Sequence, residues 1–432
     1  MKHQDLPRPG RRIAVIGGGI SGMGAAHALA TDNHVTLFEA EPRLGGHART
    51  RMAGPEGTEP VDTGFLVFNY VNYPRMAELF AELDVPVTKS NMSFAASLDD
   101  GRFEYGLSSL DTVFARRSHI VSPRFWRLIR DVLRFNARGV ETSRREPGMT
   151  IGRLLELLGT GKDFRDRYLL PFSGAIWSTP TAQILEFPAE AMLRFFENHH
   201  LLNLTGQHQW YTVDGCSIEY VGRLQASMAA RGVDLRLGAP VQGVRRMPGG
   251  AEVRPWGGEW ERFDEVVFAT HSGDTLRLLS DPTEEESAVL GAIGYQPNRV
   301  VLHSDPAVMP RRRKVWSSWN FVEMQSRPTD AIPLTYWINA LQPWPKSRDY
   351  FVTLNATQPI REDLIWDECV LRHPVYDLAA LEAQQKAREM NGKHHTWVCG
   401  AWMKNGFHED GLASALEVVD AMRAGAVQVA AE

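Results

Sequence analysis

The alternation of apolar and polar positions changes period several times along this chain. Residues 12–16 form a short apolar run behind a polar lead-in, 21–31 follow helical spacing, and 34–39 return to a buried-strand pattern. That succession predicts a strand–helix–strand unit with parallel strands. A strand, a turn and a hairpin are expected over 234–255, then a buried strand and a helix over 264–279. Near the end, 396–402 reads as a short strand, a glycine-containing loop follows, and 411–425 reads as a helix. The segments between differ in character. Residues 86–205 are helical, aromatic and arginine-rich, whereas 285–394 carry Trp316, Trp319, Trp337, Trp344 and Trp366 among strand-like runs such as 298–305 and 334–342. The fold class expected is α/β. A discontinuous Rossmann-like nucleotide-binding domain is built from 1–85, 206–284 and 395–432, with an inserted α+β substrate domain from 86–205 and 285–394.

One helical pattern stands apart. Over 123–140, Phe125, Ile129, Val132 and Leu133 fall near one face, with Arg127, Arg130, Arg134 and Arg138 interleaved. Within this basic amphipathic region, 115–145, nine arginines stand against two acids, Asp131 and Glu141. Two readings are open: a solvated helix whose arginines snorkel, or a docking surface for an anionic membrane. The whole chain is different, since its 432 residues carry a net charge of −5. That balance argues against nucleic acid as a partner. Cys216, Cys369 and Cys399 lie far apart without metal-ligand spacing, so no metal site is expected and a reduced, cytoplasmic setting is. With no signal-peptide pattern and no 18-residue apolar run, membrane association is expected to be peripheral, at the inner face.

The chemistry begins at Gly17-Gly18-Gly19-Ile20-Ser21-Gly22, which fits G-x-G-x-x-G between a strand and a helix. Gly17 permits a tight turn, Gly19 lets a pyrophosphate approach the backbone, and Gly22 lets helix and strand pack closely. Ile20 and Ser21 open the helix, whose free N–H groups and positive dipole end face the phosphates. Glu39, 22 residues after Gly17, ends the second strand where a carboxylate accepts from ribose hydroxyls, and Ala40 follows it. A second glycine pair comes in Arg43-Leu44-Gly45-Gly46-His47-Ala48-Arg49-Thr50.

That run resembles the R-x-G-G-x-x-x-T motif of FAD enzymes in the amine oxidase and phytoene desaturase superfamily, with His47 where many members carry Arg. The resemblance implies FAD as cofactor. It also implies that Thr63, Gly64 and Phe65 pass beside the flavin ring, that Val241 brackets adenine, and that Ala269 and Thr270 close the adenine side. Cys399-Gly400-Ala401-Trp402 and Gly406-Phe407-His408-Glu409-Asp410-Gly411-Leu412 resemble the last FAD segment of these enzymes. On that likeness Gly400, Trp402, Gly411 and Leu412 belong to the cofactor site, and a helix N-terminus is aimed at the flavin. Ala401 departs from the acidic residue that most relatives carry, and Cys216 departs from an expected tandem glycine.

The GFHEDG stretch, with 175–180, 317–321, 336–342 and 302–305, is similar to a bacterial subgroup often encoded beside cyclopropane-fatty-acid-synthase-like methyltransferases. Some of its members desaturate methylated fatty acyl chains on phospholipids, in furan fatty acid formation. The resemblance therefore implies a lipid acyl substrate and a methyltransferase as a partner. Catalytic candidates are His408, Glu409, Tyr211 and Arg299, with Trp177, His303, Tyr336 and Asn339 as further groups over the flavin face. His408 and Glu409 could equally cap their helix. Arg299 stands where amine oxidases place a lysine, and a guanidinium cannot act as a neutral amine base. Oxidation of a soluble amine and a non-catalytic flavoprotein role remain the competing readings.

Overall fold

In the computed structural model, which describes residues 10–178, 181–203, 206–324 and 331–431, the first strand is Arg12–Ile16. The lead-in at 1–9 and positions 179–180 of the 175–180 motif lie outside the described residues. Ile13, Ala14 and Val15 are fully buried, as expected of a strand covered on both faces. This strand is the centre of a five-stranded parallel sheet. Its neighbours are His34–Phe38 and Asp234–Arg236 on one side, and Glu265–Phe268 and Thr396–Val398 on the other. Chain connections leave the central strand in both directions, which opens a crevice at the carboxyl ends of the strands. The helix Ile20–Leu29 packs against the last helix, His408–Ala431, with Gly24 lying under Leu412 so closely that a Cβ would collide.

A seven-stranded mixed sheet forms the second layer. Its order is Ile365–Val375, Gly294–His303, Phe351–Leu354, Leu334–Trp337, Trp319–Val322, Phe94–Leu98, Phe103–Gly106. All pairs are antiparallel except Trp319–Val322 with Phe94–Leu98. The strand expected over 334–342 is shorter than its apolar pattern. It ends at Trp337, and a helical turn Ile338–Leu341 follows, because Asn339 ties the backbone of Arg348 and Tyr350 into a tight loop.

The arginine-rich segment supplies helices over this sheet, chiefly Pro123–Ser143, Ile151–Leu158, Leu170–Trp177 and Ala189–Asn198. Pro123–Ser143 starts where its sequence demands, with Ser122 accepting from the Phe125 amide at 3.3 Å and proline in the first turn. A π-helical turn at Arg165–Leu169 interrupts the helical layer, and Tyr105 donates to its Arg167 carbonyl at 2.7 Å.

Candidate functional site

A single cavity of about 1700 Å³ runs from the parallel sheet through the mixed sheet to the helical layer. Sites for drug-sized ligands span roughly 300–1,000 Å³, so this one has room for a dinucleotide and a second molecule. Its inner end is lined by Gly17, Gly19, Ile20, Ser21, Glu39, Ala40, Gly45, Gly46 and His47. Gly17 needs its φ of +107° for the turn, and a Cβ on Gly22 would overlap the Gly17 carbonyl. Gly19 has open space where a Cβ would stand, with nothing within 4 Å, and that space is the cradle a pyrophosphate requires. Glu39 accepts from the Gly18 amide at 2.5 Å and the Glu41 amide at 2.7 Å, which fixes its carboxylate at the end of the strand.

FAD fits these residues. Gly17–Ser21 would hold its pyrophosphate, and Glu39 would accept from its ribose. Val241, Ala269 and Thr270, expected on the adenine side, and Thr63, Gly64 and Phe65, expected beside the flavin, all line the cavity. Gly400 and Trp402 line it too, whereas Gly22, Arg43, Gly411 and Leu412 act one step behind. Arg43 donates to the carbonyls of Leu44, Gly46 and Ala48, and so shapes the glycine loop rather than touching its contents. Gly411 brings the last helix against Ser21 and Ile20. The N-terminus of that helix opens into the cavity through Phe407 and His408.

Histidines from separate segments gather at this end, a cluster that the sequence pattern did not foretell. The His47 ring lies 5.7 Å from both His271 and His373, and all three line the cavity. Burial pushes His271 and His373 down to about 3, and His47 is lowered by the same cause. They are neutral imidazoles at neutral pH. Their partners set the tautomers: His47 Nε2 donates to the Arg372 carbonyl at 3.2 Å, and His373 Nδ1 accepts from Asn298 at 2.9 Å.

The catalytic candidates scatter. His408 lines the cavity, but its ring stacks on Phe65 at 4.1 Å and its Nε2 meets the Tyr220 hydroxyl at 2.6 Å. Burial holds it down to about 3. Glu409 stands outside the cavity and accepts from the amides of Arg75 and Met76 at 3.0 and 2.9 Å, capping the helix Pro74–Glu82 across the chain. Asp410 caps its own helix through the Phe407 amide. Tyr211 also lies outside the cavity lining, packed on Tyr70 and Phe68, while Trp210 faces in. Arg299 is on the outer face, paired with Glu368 at 2.6 Å, and Val300 faces in. Both displacements have one cause: side chains alternate along a strand, so a single step changes the face. Of the further groups, Tyr336 lines the cavity. Trp177 packs on Phe187 and Phe195, His303 is buried against Thr353, and Asn339 braces its loop.

A residue that the sequence did not single out, His199, lines the cavity between Phe407 and Trp210, 6.3 and 6.4 Å from their rings. Its Nδ1 is 2.9 Å from the Phe195 carbonyl and therefore carries the hydrogen, which leaves the lone pair on Nε2. Burial lowers this imidazole to about 4.

The outer end of the cavity is the basic helix itself. Phe125, Ile129, Val132 and Leu133 line it, joined by Trp126 and Leu128. The lining reaches the surface beside the turn Leu110–Val113, where Leu110 is 79% exposed and Trp126 49%. The arginines are more committed than their number suggests. Arg124 pairs with Asp163, Arg130 with Asp131, and Arg134 donates to the Leu158 and Gly159 carbonyls at 3.1 Å. Among the described residues, Arg127 and Arg138 have no acidic partner.

Comparison with known proteins bears on this geometry. Residues 20–311 match the model of the flavin containing amine oxidoreductases. A carotenoid phi-ring synthase of Streptomyces griseus is 27% identical over 304 residues, which are 63% of this chain and 54% of that protein. The chain thus spans about half the length of that relative. The fold is shared with a CLA-producing fatty acid isomerase from P. acnes (TM-score 0.67, 14% identity, 95% of this chain and 98% of that one). It is shared as well with cyclohexylamine oxidase from Brevibacterium oxydans (TM-score 0.69, 14% identity, 96% and 100%). The chain belongs to the flavin-containing amine oxidoreductase family, whose members are FAD-dependent oxidoreductases.

Proposed function

We propose that this protein is an FAD-dependent dehydrogenase that desaturates a methylated acyl chain of membrane phospholipid. The observation that carries the reading is the continuity of one cavity from the dinucleotide cradle to an exposed apolar rim. Between them its walls are aromatic and aliphatic, including Phe94, Phe172, Trp319 and Tyr336. Such walls hold a flexible hydrocarbon and exclude water. FAD, when bound, supplies the two-electron acceptor for a hydride leaving a carbon of the chain. The neighbouring carbon loses a proton, and Nε2 of His199 is the protein's group for receiving it.

An amine would be served less well. The carboxylates among the described lining residues are Glu39 and Asp274, both at the dinucleotide end, so an ammonium ion finds no counter-ion deeper in. The exposed rim, Leu110, Val121, Trp126 and Leu133, supports docking at an anionic bilayer from one side. Among the described residues no helix is long and apolar enough to cross a membrane. A lipid methyltransferase is the class of enzyme that supplies a methyl-branched chain, and it is the partner this reading expects.

The test is mass spectrometry of phospholipids from cells with and without the enzyme, with methylated chains available. Acyl chains short of two hydrogens are the expected product. An unchanged profile, together with hydrogen peroxide released from a soluble amine, would replace this reading with amine oxidation.

A further inference from the structure

A second, smaller cavity of about 360 Å³ lies against the outer end of the first, and Phe125 and Leu128 line both. Its composition is the reverse of its neighbour's. Arg102, Arg116, Arg124 and Arg167 line it against two carboxylates, Asp99 and Asp163. Three local features favour an anion. First, it sits at the N-terminus of the 21-residue helix Pro123–Ser143, through Ser122 and Arg124, where the helix dipole is positive. Second, the guanidinium groups are only partly spent. Arg124 commits Nε and Nη2 to Asp163, and Arg116 commits Nε to Ser118 and Nη1 to the Arg102 carbonyl. Arg124 Nη1 and Arg116 Nη2 have no partner among the described contacts. Third, His119 lines the cavity at 6% exposure, and its Nδ1 is buried without any hydrogen-bond partner. The ring is held in place by stacking on Phe125 at 4.3 Å. A buried nitrogen left unpaired is an unmet hydrogen bond, which a ligand oxygen satisfies in the tautomer that carries the hydrogen on Nδ1.

We propose that this cavity binds the phosphodiester of the lipid whose acyl chain enters the larger cavity. The proposal rests on the lipid reading above. The wall formed by Phe125 and Leu128 then separates headgroup from hydrocarbon, and arginine forks suit phosphate oxygens in geometry as well as charge. The π-helical turn serves both sides: Arg167 faces the small cavity and the adjacent Tyr168 the large one.

The test uses the full-length flavoprotein and a short-chain phosphatidylglycerol kept below its micelle concentration, with binding read by tryptophan fluorescence. The matching diacylglycerol and glycerol 3-phosphate are the comparison ligands. Phosphatidylglycerol is expected to bind at least tenfold more tightly than either. Arg116→Gln with Arg124→Gln should remove that advantage while leaving diacylglycerol binding and flavin content unchanged. Equal affinity of the wild-type protein for phosphatidylglycerol and diacylglycerol overturns the proposal. Glycerol 3-phosphate binding as tightly as the phospholipid overturns the lipid as the source of the phosphate. Phospholipid binding without any dehydrogenated product would remove the dehydrogenase reading and leave this site standing. Product formed without a headgroup preference would do the reverse.

Discussion

The two ends of the large cavity are made of different material. The inner end is backbone: Gly17, Gly19, Gly45 and Gly46 present N–H groups and bare Cα atoms, and the nearby histidines are neutral. The outer end is side chain: Phe125, Ile129 and Val132 make the wall, and arginines stand around it. A ligand gripped by backbone tolerates no added carbon, yet is indifferent to salt. A ligand gripped by an apolar wall beside cations tolerates changes of size, but not of charge or ionic strength. Four experiments can break that contrast.

The largest effect is expected at the glycines. In Gly22→Val the first side-chain carbon meets the Gly17 carbonyl, so the protein should lose both flavin and stability. Gly19→Ala separates the two. Its Cβ meets nothing within 4 Å and its φ of −74° suits alanine, so the apoprotein should melt as before. The methyl instead fills the pyrophosphate's place, and bound flavin, read by its visible absorbance, should fall at least tenfold. Flavin retained at wild-type level would mean that the cradle lies elsewhere.

Acid comes next, and it should act through buried histidines, three of them at the inner end. His271, His373 and His408 are held down to about 3, and His119 and His199 to about 4, all by burial. Unfolded, each titrates near 6.5, so between these values the unfolded chain binds more protons. Their stability is present above 6.5 and is lost as pH falls toward the folded values, by up to about 1.4 kcal/mol per pH unit per histidine. Asp62 and Asp410, pushed up to about 6, oppose this, because the folded state takes their protons first. With His27, His47 and His303 also lowered, eight histidines outweigh the four raised carboxyl groups, Asp62, Glu323, Glu409 and Asp410, and the melting temperature should drop between pH 7 and pH 5. His373→Asn should flatten that slope, and a flat wild-type profile would sink the neutral-cluster account.

The same contrast explains what was legible in the sequence. Glycine spacing and buried runs report the inner end directly, since φ, close approach and strand burial are local demands. The strand expected at 34–39 is His34–Phe38, and the helix expected over 411–425 lies within His408–Ala431. Which side chains face a shared space is not a local property. Tyr211 and Arg299 each lie one strand position from the residue that faces in, and His47, His271 and His373 meet only through tertiary folding. Cys216 shows a milder limit. It holds a glycine-like φ of +74°, pinned by burial and by a bond from Gln342 at 3.3 Å, so the departure from the tandem glycine is carried as backbone strain.

At the outer end, Ile129→Asp places a charge on the apolar wall while leaving the cradle untouched. Losing the burial of one such side chain costs about 2 kcal/mol and the added charge costs more, so KM for a lipid substrate should rise by more than roughly thirtyfold. Flavin content should not change. If KM holds and flavin falls, the two ends are not independent.

The smallest effect concerns the arginines, and here the choice of residue decides what is measured. Arg134 donates to the Leu158 and Gly159 carbonyls, at the C-terminal end of the helix Ile151–Leu158. Arg134→Glu would remove those bonds and set a carboxylate against the negative end of a helix dipole, costing about 1 kcal/mol of stability. It would report on the fold. Arg127 has no acidic partner among the described residues, so Arg127→Glu reports on docking. Reversing one charge near an anionic bilayer is worth about 2 kcal/mol, or roughly thirtyfold in vesicle affinity at low salt. The difference should vanish at high ionic strength, where screening removes it. Unchanged vesicle binding by Arg127→Glu at low salt would leave the exposed rim without an electrostatic role. The outer end would then differ from the inner one by its apolar wall alone.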